Sequence, residues 1–216
     1  MIDLHTHSLL SDGELLPSEL IRRAAAIGYE AIAITDHVDI SNYDFVIPRI
    51  VKACQQAAKE LNHITVVPGA ELTHINPDDI PFLVKEARGL GARIIVVHGE
   101  TIVEPVRPGT NRKALESDVD ILAHPGLIAE EDVRLAQKRN IALEVTARKG
   151  HSLTNGHVVK LAQQCGARLI LNTDAHAPED LLTLDQAQKI AMGSGLESDD
   201  FKEMLQNSRA ILKTAA

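Results

Sequence analysis

The sequence predicts an α/β fold of parallel strands and outer helices that closes into a barrel, and three observations carry that expectation. Short apolar runs rich in β-branched residues alternate with amphipathic stretches along the whole chain, the order that yields a parallel sheet with crossover helices. Several amphipathic stretches stop at a glycine just before the next apolar run, at Gly28, Gly91 and Gly166, as helices do when they end through a left-handed residue. Potential metal ligands also recur at the end of almost every apolar run. A closed barrel collects side chains from every strand end, whereas an open doubly wound sheet gathers its site at one switch point.

Taken in order, the predicted strands cover residues 1–4, 31–35, 64–68, 93–97, 119–123, 141–145 and 168–172. Each is a short, nearly continuous apolar run, the pattern of a strand buried on both faces. Between and after them, helices are predicted over 17–27, 47–61, 78–90, 111–116, 130–139, 157–165, 181–191 and 199–212. With 216 residues, 44% hydrophobic and 24% charged, and with no linker or composition shift, a single domain over residues 1–216 is expected. No apolar run approaches the roughly 20 residues that span a bilayer, and the opening MIDLHTH is polar from its third residue, so neither a membrane segment nor a signal peptide is expected. The two cysteines, Cys54 and Cys165, fall inside helical patterns. They read as small core residues without a disulfide framework, which makes a reducing cytoplasm the expected location. The 22 basic and 30 acidic residues leave a net charge of −8. Such a surface does not attract a polyanion as a whole, so any anion must be gripped locally.

The first predicted strand runs into His5-Thr6-His7, where residues two apart point to the same side and can place two imidazoles on one metal. Asp12 follows in the turn Ser11-Asp12-Gly13, and the second strand ends in Thr35-Asp36-His37. Later strands end in Pro68-Gly69-Ala70-Glu71, in His98, in His124-Pro125-Gly126 and in Asn172-Thr173-Asp174-Ala175-His176. Six of the ten histidines thus stand at the C-terminal ends of five of the seven strands. Independent core histidines have no reason to gather on the one face where barrel enzymes build their sites.

This ordered set, His5-x-His7, Ser11-Asp12-Gly13, Thr35-Asp36-His37, Gly69-x-Glu71, His98, His124-Pro125 and Asp174-x-His176, resembles the PHP (polymerase and histidinol phosphatase) family over essentially the whole chain. The resemblance implies a distorted seven-stranded TIM-like (βα)7 barrel and a metal-dependent phosphoesterase. It also implies three divalent ions, of zinc, manganese or iron. His5, His7, Glu71 and Asp174 would hold one, Glu71 as a bridge would join His98 and His124 on a second, and Asp12, His37 and His176 would hold the third. Asp12 stands where some members have histidine, and its hard oxygen shifts preference toward manganese or iron. Three divalent ions bring about +6 while Asp12, Glu71, Asp174 and a bridging hydroxide return about −4, so the site stays positive enough to hold a phosphate dianion.

The sixth predicted strand carries no metal ligand at its end and runs instead into Thr146-Ala147-Arg148-Lys149-Gly150-His151. Three potential cations in this loop read as a phosphate clamp, led by Arg148 and joined by Lys149 and His151. Arg107, between prolines after the fourth strand, is a further substrate-binding candidate. Asp36, Arg148 and His176 stand as candidate catalytic side chains, with Asp36 and Glu144 each expected to orient an imidazole. Tyr43 and Phe45 are expected to pack a loop after the second strand, and His63, His74 and His157 lack partners at ligand spacing, although His74 follows Glu71 closely enough to reach the mouth.

The expected function is hydrolysis of a small phosphomonoester of the histidinol phosphate type by a metal-activated hydroxide. The alternatives are a phosphodiesterase or nuclease acting on nucleotides or short oligonucleotides, an amidohydrolase, and a non-catalytic metal-binding module. Absence of tryptophan, 2% aromatic content and the net charge of −8 leave no stacking platform or long basic groove, so extended nucleic-acid binding is not expected. An amidohydrolase typically holds a carboxylated lysine after the fourth strand, where this chain has His98. A non-catalytic module often has lost ligands, whereas all nine positions are filled here.

Overall fold

The computed structural model describes residues 1–215. Its strands are β1 (Ile2–Asp3), β2 (Ala31–Ile34), β3 (His37–Val38), β4 (Thr65–Leu72), β5 (Ile94–His98), β6 (Ile121–Ala123), β7 (Ala142–Thr146) and β8 (Leu169–Asn172). The helices are α1 (Pro17–Ala26), α2 (Tyr43–Glu60), α3 (Ile80–Gly89), α4 (Thr110–Glu116), α5 (Glu130–Arg139), α6 (Asn155–Cys165), α7 (Leu184–Gly193) and α8 (Ser198–Ala215). All strand pairs are parallel and follow the order β1-β2-β4-β5-β6-β7-β8, with the two-residue β3 continuing the line of β2 alongside β4. Seven strands therefore wrap into a nearly closed TIM-like barrel with helices outside, as expected.

The continuous apolar runs are explained by burial on both faces. Ala31, Ala33, Ile94, Val96, Ile121, Ala123, Ala142 and Ile170 belong to one inner cluster. Their alternates Ile32, Ile34, Ile95, Val97, Leu122, Leu143 and Leu171 pack in the outer one, under the helices. Period-two alternation thus separates two apolar layers rather than an apolar and a polar face.

Closure happens at the mouth formed by the strand C-termini. Thr6 bridges Ala175, His7 N–H donates to the Ala175 carbonyl (2.8 Å), and Asp174 N–H donates to the His5 carbonyl (3.0 Å). Lower down, side chains stitch the β1–β8 seam. Asn172 Oδ1 accepts from Leu4 N–H (2.9 Å), and Asp3 accepts from the Thr173 hydroxyl (2.6 Å). Helix α8 packs on both β1 and β8, and its Ile211 and Ala215 join the inner apolar cluster, so the last helix closes the floor.

Gly28, Gly91 and Gly166 all have positive φ (87°, 103° and 67°), as their places at helix ends require. Of the boundaries that differ from the expectation, three lie near the barrel mouth. Strand β4 continues to Leu72, so Glu71 lies inside a strand rather than past its end. Helix α2 starts at Tyr43 with Pro48 inside it, which moves Tyr43 and Phe45 from the expected loop to its first turn. A 3-10 turn, His151–Thr154, precedes α6. Inside α2, Pro48 removes one intrahelical hydrogen bond and crowds the preceding turn, a cost offset by burial of Val46, Ile47 and Ile50 on the same helix. Among the described residues, no helix is long and apolar enough to cross a membrane.

Replacing Ile211 by alanine should lower stability by about 2–5 kcal/mol, because it empties part of the barrel floor. Lys213→Ala, exposed on the same helix, should stay within about 0.5 kcal/mol. Urea titration checks both; equal midpoints for the two variants would contradict the floor-closing role of α8.

Candidate metal centre

The site grows from a pinned pair of strand ends. Thr6 donates its hydroxyl to the Ala33 carbonyl (2.7 Å), and Thr35 N–H donates to the Thr6 carbonyl (2.8 Å). That locks the backbone between His5 and His7, whose rings lie 5.0 Å apart. His5 Nδ1 sits 2.7 Å from Glu144 Oε2, which also accepts from Asn172 Nδ2 (2.9 Å). Glu144 therefore does what was expected of it. With Nδ1 committed, His5 Nε2 faces the centre, 3.3 Å from Glu71 Oε1 and 3.6 Å from Asp174 Oδ1. His7 Nε2 lies 3.1 Å from Asp174 Oδ1 and 3.6 Å from Glu71 Oε2.

Glu71 is the hub. It is fully buried, and each of its oxygens meets imidazoles: Oε1 faces His5 and His124 (3.3 and 3.6 Å), Oε2 faces His7 and His37 (3.6 and 2.6 Å). Burial alone would raise its carboxyl, but His5 and His37 outweigh it and hold Glu71 well below the usual carboxylate range. Gly69, two residues earlier, is required by space: a Cβ there would come within 2.8 Å of the Ile94 carbonyl oxygen on β5.

On the outer side, Asp12 Oδ1 lies 3.5 Å from His37 Nε2 and 3.3 Å from His176 Nε2. Burial opposes ionisation of Asp12, yet the contacts with His176 and His37 keep it strongly acidic. His98 is oriented by its own neighbour, Nδ1 lying 3.2 Å from the Gly99 carbonyl. His124 Nε2 is 3.6 Å from both Glu71 and Asp174. His124 and Asp174 both have positive φ (27° and 54°), the kind of backbone strain that collects at functional sites. Gly126 lets the loop after His124 approach the loop after His98, because a Cβ would sit 1.9 Å from the Glu100 carbonyl oxygen.

Donor atoms lie within 4.8 Å of one another in the sets His7/Asp12/His37/His176, His5/His7/Glu71 and Glu71/His98/His124. Asp174 joins the second set through its 3.1 Å approach to His7. His5 Nε2, both ring nitrogens of His7, Glu71 Oε1 and His124 Nδ1 are buried without a hydrogen-bond partner in the protein. Buried polar atoms left unpaired are costly, and three of these, His5 Nε2, His7 Nε2 and Glu71 Oε1, converge, within a donor set of imidazoles and carboxylates suited to divalent transition metals. His7 meets a further requirement: burial, helped by the charge of His37, pushes its imidazole down to about 3, so the ring is neutral and its lone pair available.

Several expected residues do different work. Asp36 touches no imidazole. Its carboxylate accepts from Ser8 N–H and hydroxyl (2.7 and 2.8 Å) and from Ser11 N–H and hydroxyl (3.1 and 2.8 Å), which fixes the turn that presents Asp12. Arg148 lines a cavity of about 440 Å3 together with His98, His124, Asp174 and His176. Its Nη1 lies 3.2 Å from Asp180. His151 lines the same cavity, but burial first and then the charge of His124 push it down to about 4, so it is a neutral polar group rather than the third cation expected. Lys149 and Arg107 are exposed and lie outside that lining, Arg107 donating to Asn76 Oδ1 (2.8 Å). The same two loops instead send Arg148, His151 and Glu104 into the cavity.

Glu104 and His74 were not assigned from the sequence, yet both line the cavity. Glu104 Oε2 lies 3.1 Å from His98 Nε2 and 3.2 Å from His74 Nε2. Glu104 stands six residues beyond the last residue of β5, where no periodicity says which way a side chain points.

A model of the PHP domain matches residues 3–163. The chain is 48% identical to an uncharacterised protein of Methanocaldococcus jannaschii over 94% of both chains. It is 26% identical to a Clostridium acetobutylicum protein named a probable phosphatase, over 96% of this chain and 90% of that one. Among solved structures, archaeal ribonuclease P with mature tRNA contains a chain that superposes with a TM-score of 0.74 at 19% identity, over 98% of this chain and 90% of that one. The Lactococcus lactis histidinol phosphate phosphatase, complexed with zinc, L-histidinol and phosphate, gives 0.66 at 18% identity over 91% and 94%. The match to the family model over most of the chain, together with a barrel mouth built from the same ordered motifs, makes this protein a member of the PHP-domain family.

Proposed function

We propose that the protein hydrolyses a small phosphomonoester at a three-ion centre held by His5, His7, Glu71 and Asp174, by Glu71, His98 and His124, and by Asp12, His37 and His176. The observation that carries this reading is the convergence of buried, unpartnered nitrogen and oxygen donors around Glu71, beside a cavity that also receives Arg148. Divalent ions in such a centre act as Lewis acids on phosphoryl oxygens and lower the pKa of water toward neutrality. The chain's own groups do the rest. Glu144 holds His5 in one orientation, and Asp36 holds the Asp12 turn. Asp180 accepts N–H groups from His176 and Ala177 (2.9 Å each), so its carboxylate is fixed where it can aim the Arg148 guanidinium. Arg148 then pairs with a non-reacting phosphate oxygen, and neutral His151 contributes a polar contact without adding charge.

A phosphodiesterase or RNA-directed role is the second reading, favoured by the likeness to a chain of archaeal ribonuclease P. The cavity speaks for the smaller substrate: its lining includes Asp12, Asp39, Glu104 and Asp174 but a single Lys or Arg, Arg148. A polyanion needs a track of cations. Assaying metal-replete protein against phosphomonoesters, bis(p-nitrophenyl) phosphate and short oligonucleotides separates the readings. Fastest turnover of a monoester is expected; turnover confined to diesters or oligonucleotides would replace the first reading by the second.

Gently purified protein should carry more than one equivalent of zinc, manganese or iron. Glu71→Ala should lose more of it than His37→Ala, because a bridging carboxylate serves two ions. Elemental analysis giving one equivalent or less, or equal losses in the two variants, would contradict the bridged centre.

Arg148→Ala should lower kcat/KM for a phosphomonoester by about 10- to 150-fold, the worth of a charge-assisted hydrogen bond of about 1.5–3 kcal/mol, with metal content unchanged. Arg148→Lys should recover only part of the loss, since lysine keeps the charge but not the planar fork. Full activity in both variants would remove Arg148 from the site.

A further inference from the structure

We propose that Glu104 is a tenth ligand of the metal centre, a carboxylate delivered by the loop after β5 to the ion held by His98. The inference rests on the metal-centre reading above and adds a residue to it.

His98 Nδ1 lies 3.2 Å from the Gly99 carbonyl, which leaves Nε2 turned to the cavity, where it faces Glu104 Oε2 at 3.1 Å. A bound cation in that gap takes the place of the proton that joins the pair in its absence. The same arrangement marks His5, whose Nδ1 is committed to Glu144 while Nε2 faces Glu71 Oε1 at 3.3 Å.

A transition metal sits about 2.0–2.2 Å from nitrogen and oxygen donors, so two ligands at tetrahedral or octahedral angles lie roughly 3.0–3.6 Å apart. Apart from His37–Glu71 at 2.6 Å, the His–carboxylate pairs among the nine expected ligands have such separations, including 3.1 Å for His7–Asp174 and 3.3 Å for His176–Asp12. Glu104 shares that spacing with His98 (3.1 Å), His74 (3.2 Å) and His151 (3.3 Å), and donor atoms of His74, His98 and Glu104 lie within 4.8 Å of one another.

The carboxylate is also aimed. Oε1 meets His151, whose other nitrogen is 2.8 Å from Thr101 Oγ1. Oε2 meets His74, a residue with φ of 52°, a conformation non-glycine residues adopt sparingly. Glu100 holds the loop itself, its Oε1 accepting from Gly109 N–H (3.0 Å) and Asn111 N–H (2.9 Å). Glu71 thus approaches the His98 ion from inside the barrel and Glu104 from the rim, with His74 as the positioning residue.

The test is a competitive titration of the metal-free protein with zinc or manganese against a chelator, which reads each ion's affinity without substrate. Glu104→Gln is expected to weaken one of the ions by at least about tenfold and leave the others unchanged, with Glu104→Asp giving the same selective loss, since its oxygen is one methylene short of the ion on an anchored loop. Cobalt-substituted protein should show a changed visible absorption spectrum for that same ion. Wild-type affinities in Glu104→Gln would overturn the proposal. So would uniform weakening of all ions, which marks a displaced loop, or full retention in Glu104→Asp, which marks a field effect of the charge. Wild-type protein that takes up no ion would overturn the metal-centre reading and this proposal with it. A normal wild type beside an unaffected variant would overturn only the tenth ligand.

Discussion

A fully buried carboxylate that meets imidazoles through both of its oxygens is the constraint on which this structure depends. Glu71 sits between His5 and His124 on one side and His7 and His37 on the other. Burial alone drives a carboxyl to protonate, and it is the imidazoles of His5 and His37 that hold Glu71 ionised there. The surrounding fold is organised to deliver partners to it. Strand β4 extends to Leu72 to place Glu71 in register with His37 on β3 and Val96 on β5, and Gly69 gives up its side chain so that β4 and β5 can approach.

The barrel is layered accordingly. Its floor is apolar and closed by Ile211 and Ala215 of α8, so water is kept from the underside of the site. Above it, Glu144, Asn172 and Asp3 form a polar layer that ties β1 to β7 and β8 and fixes the face His5 presents. At the mouth lie the ligands. Backbone strain at His124 and Asp174, together with converging unpartnered donor atoms, marks this rim as the part of the molecule where stability has been traded for chemistry.

Much of this was legible in the sequence, for a definite reason. A strand that is buried on both faces has its first polar residue where it leaves the apolar layers, so His98, His124 and the Asp174-x-His176 pair announced both the strand ends and the face they share. The alternation itself predicted His5 and His7. Legibility stopped where a side chain had two open directions. Asp36 follows β2 beside a ligand, yet its carboxylate turns to Ser8 and Ser11 instead of an imidazole. Lys149 and Arg148 are adjacent, and only the arginine enters the cavity. Charge was legible, protonation was not: burial and the charge of His124 make His151 neutral. Glu104 and His74 come from irregular loops, whose return path toward His98 depends on hydrogen bonds that Glu100 accepts from Gly109 and Asn111 and on a left-handed backbone at His74 that no periodicity encodes.

The most direct test of the central claim is anomalous diffraction from crystals of the protein grown with zinc or manganese. The account predicts three peaks at the mouth of the barrel, two of them flanking the Glu71 carboxylate and the third among Asp12, His37 and His176. A single peak, or peaks that leave Glu71 bound to no ion, would contradict it.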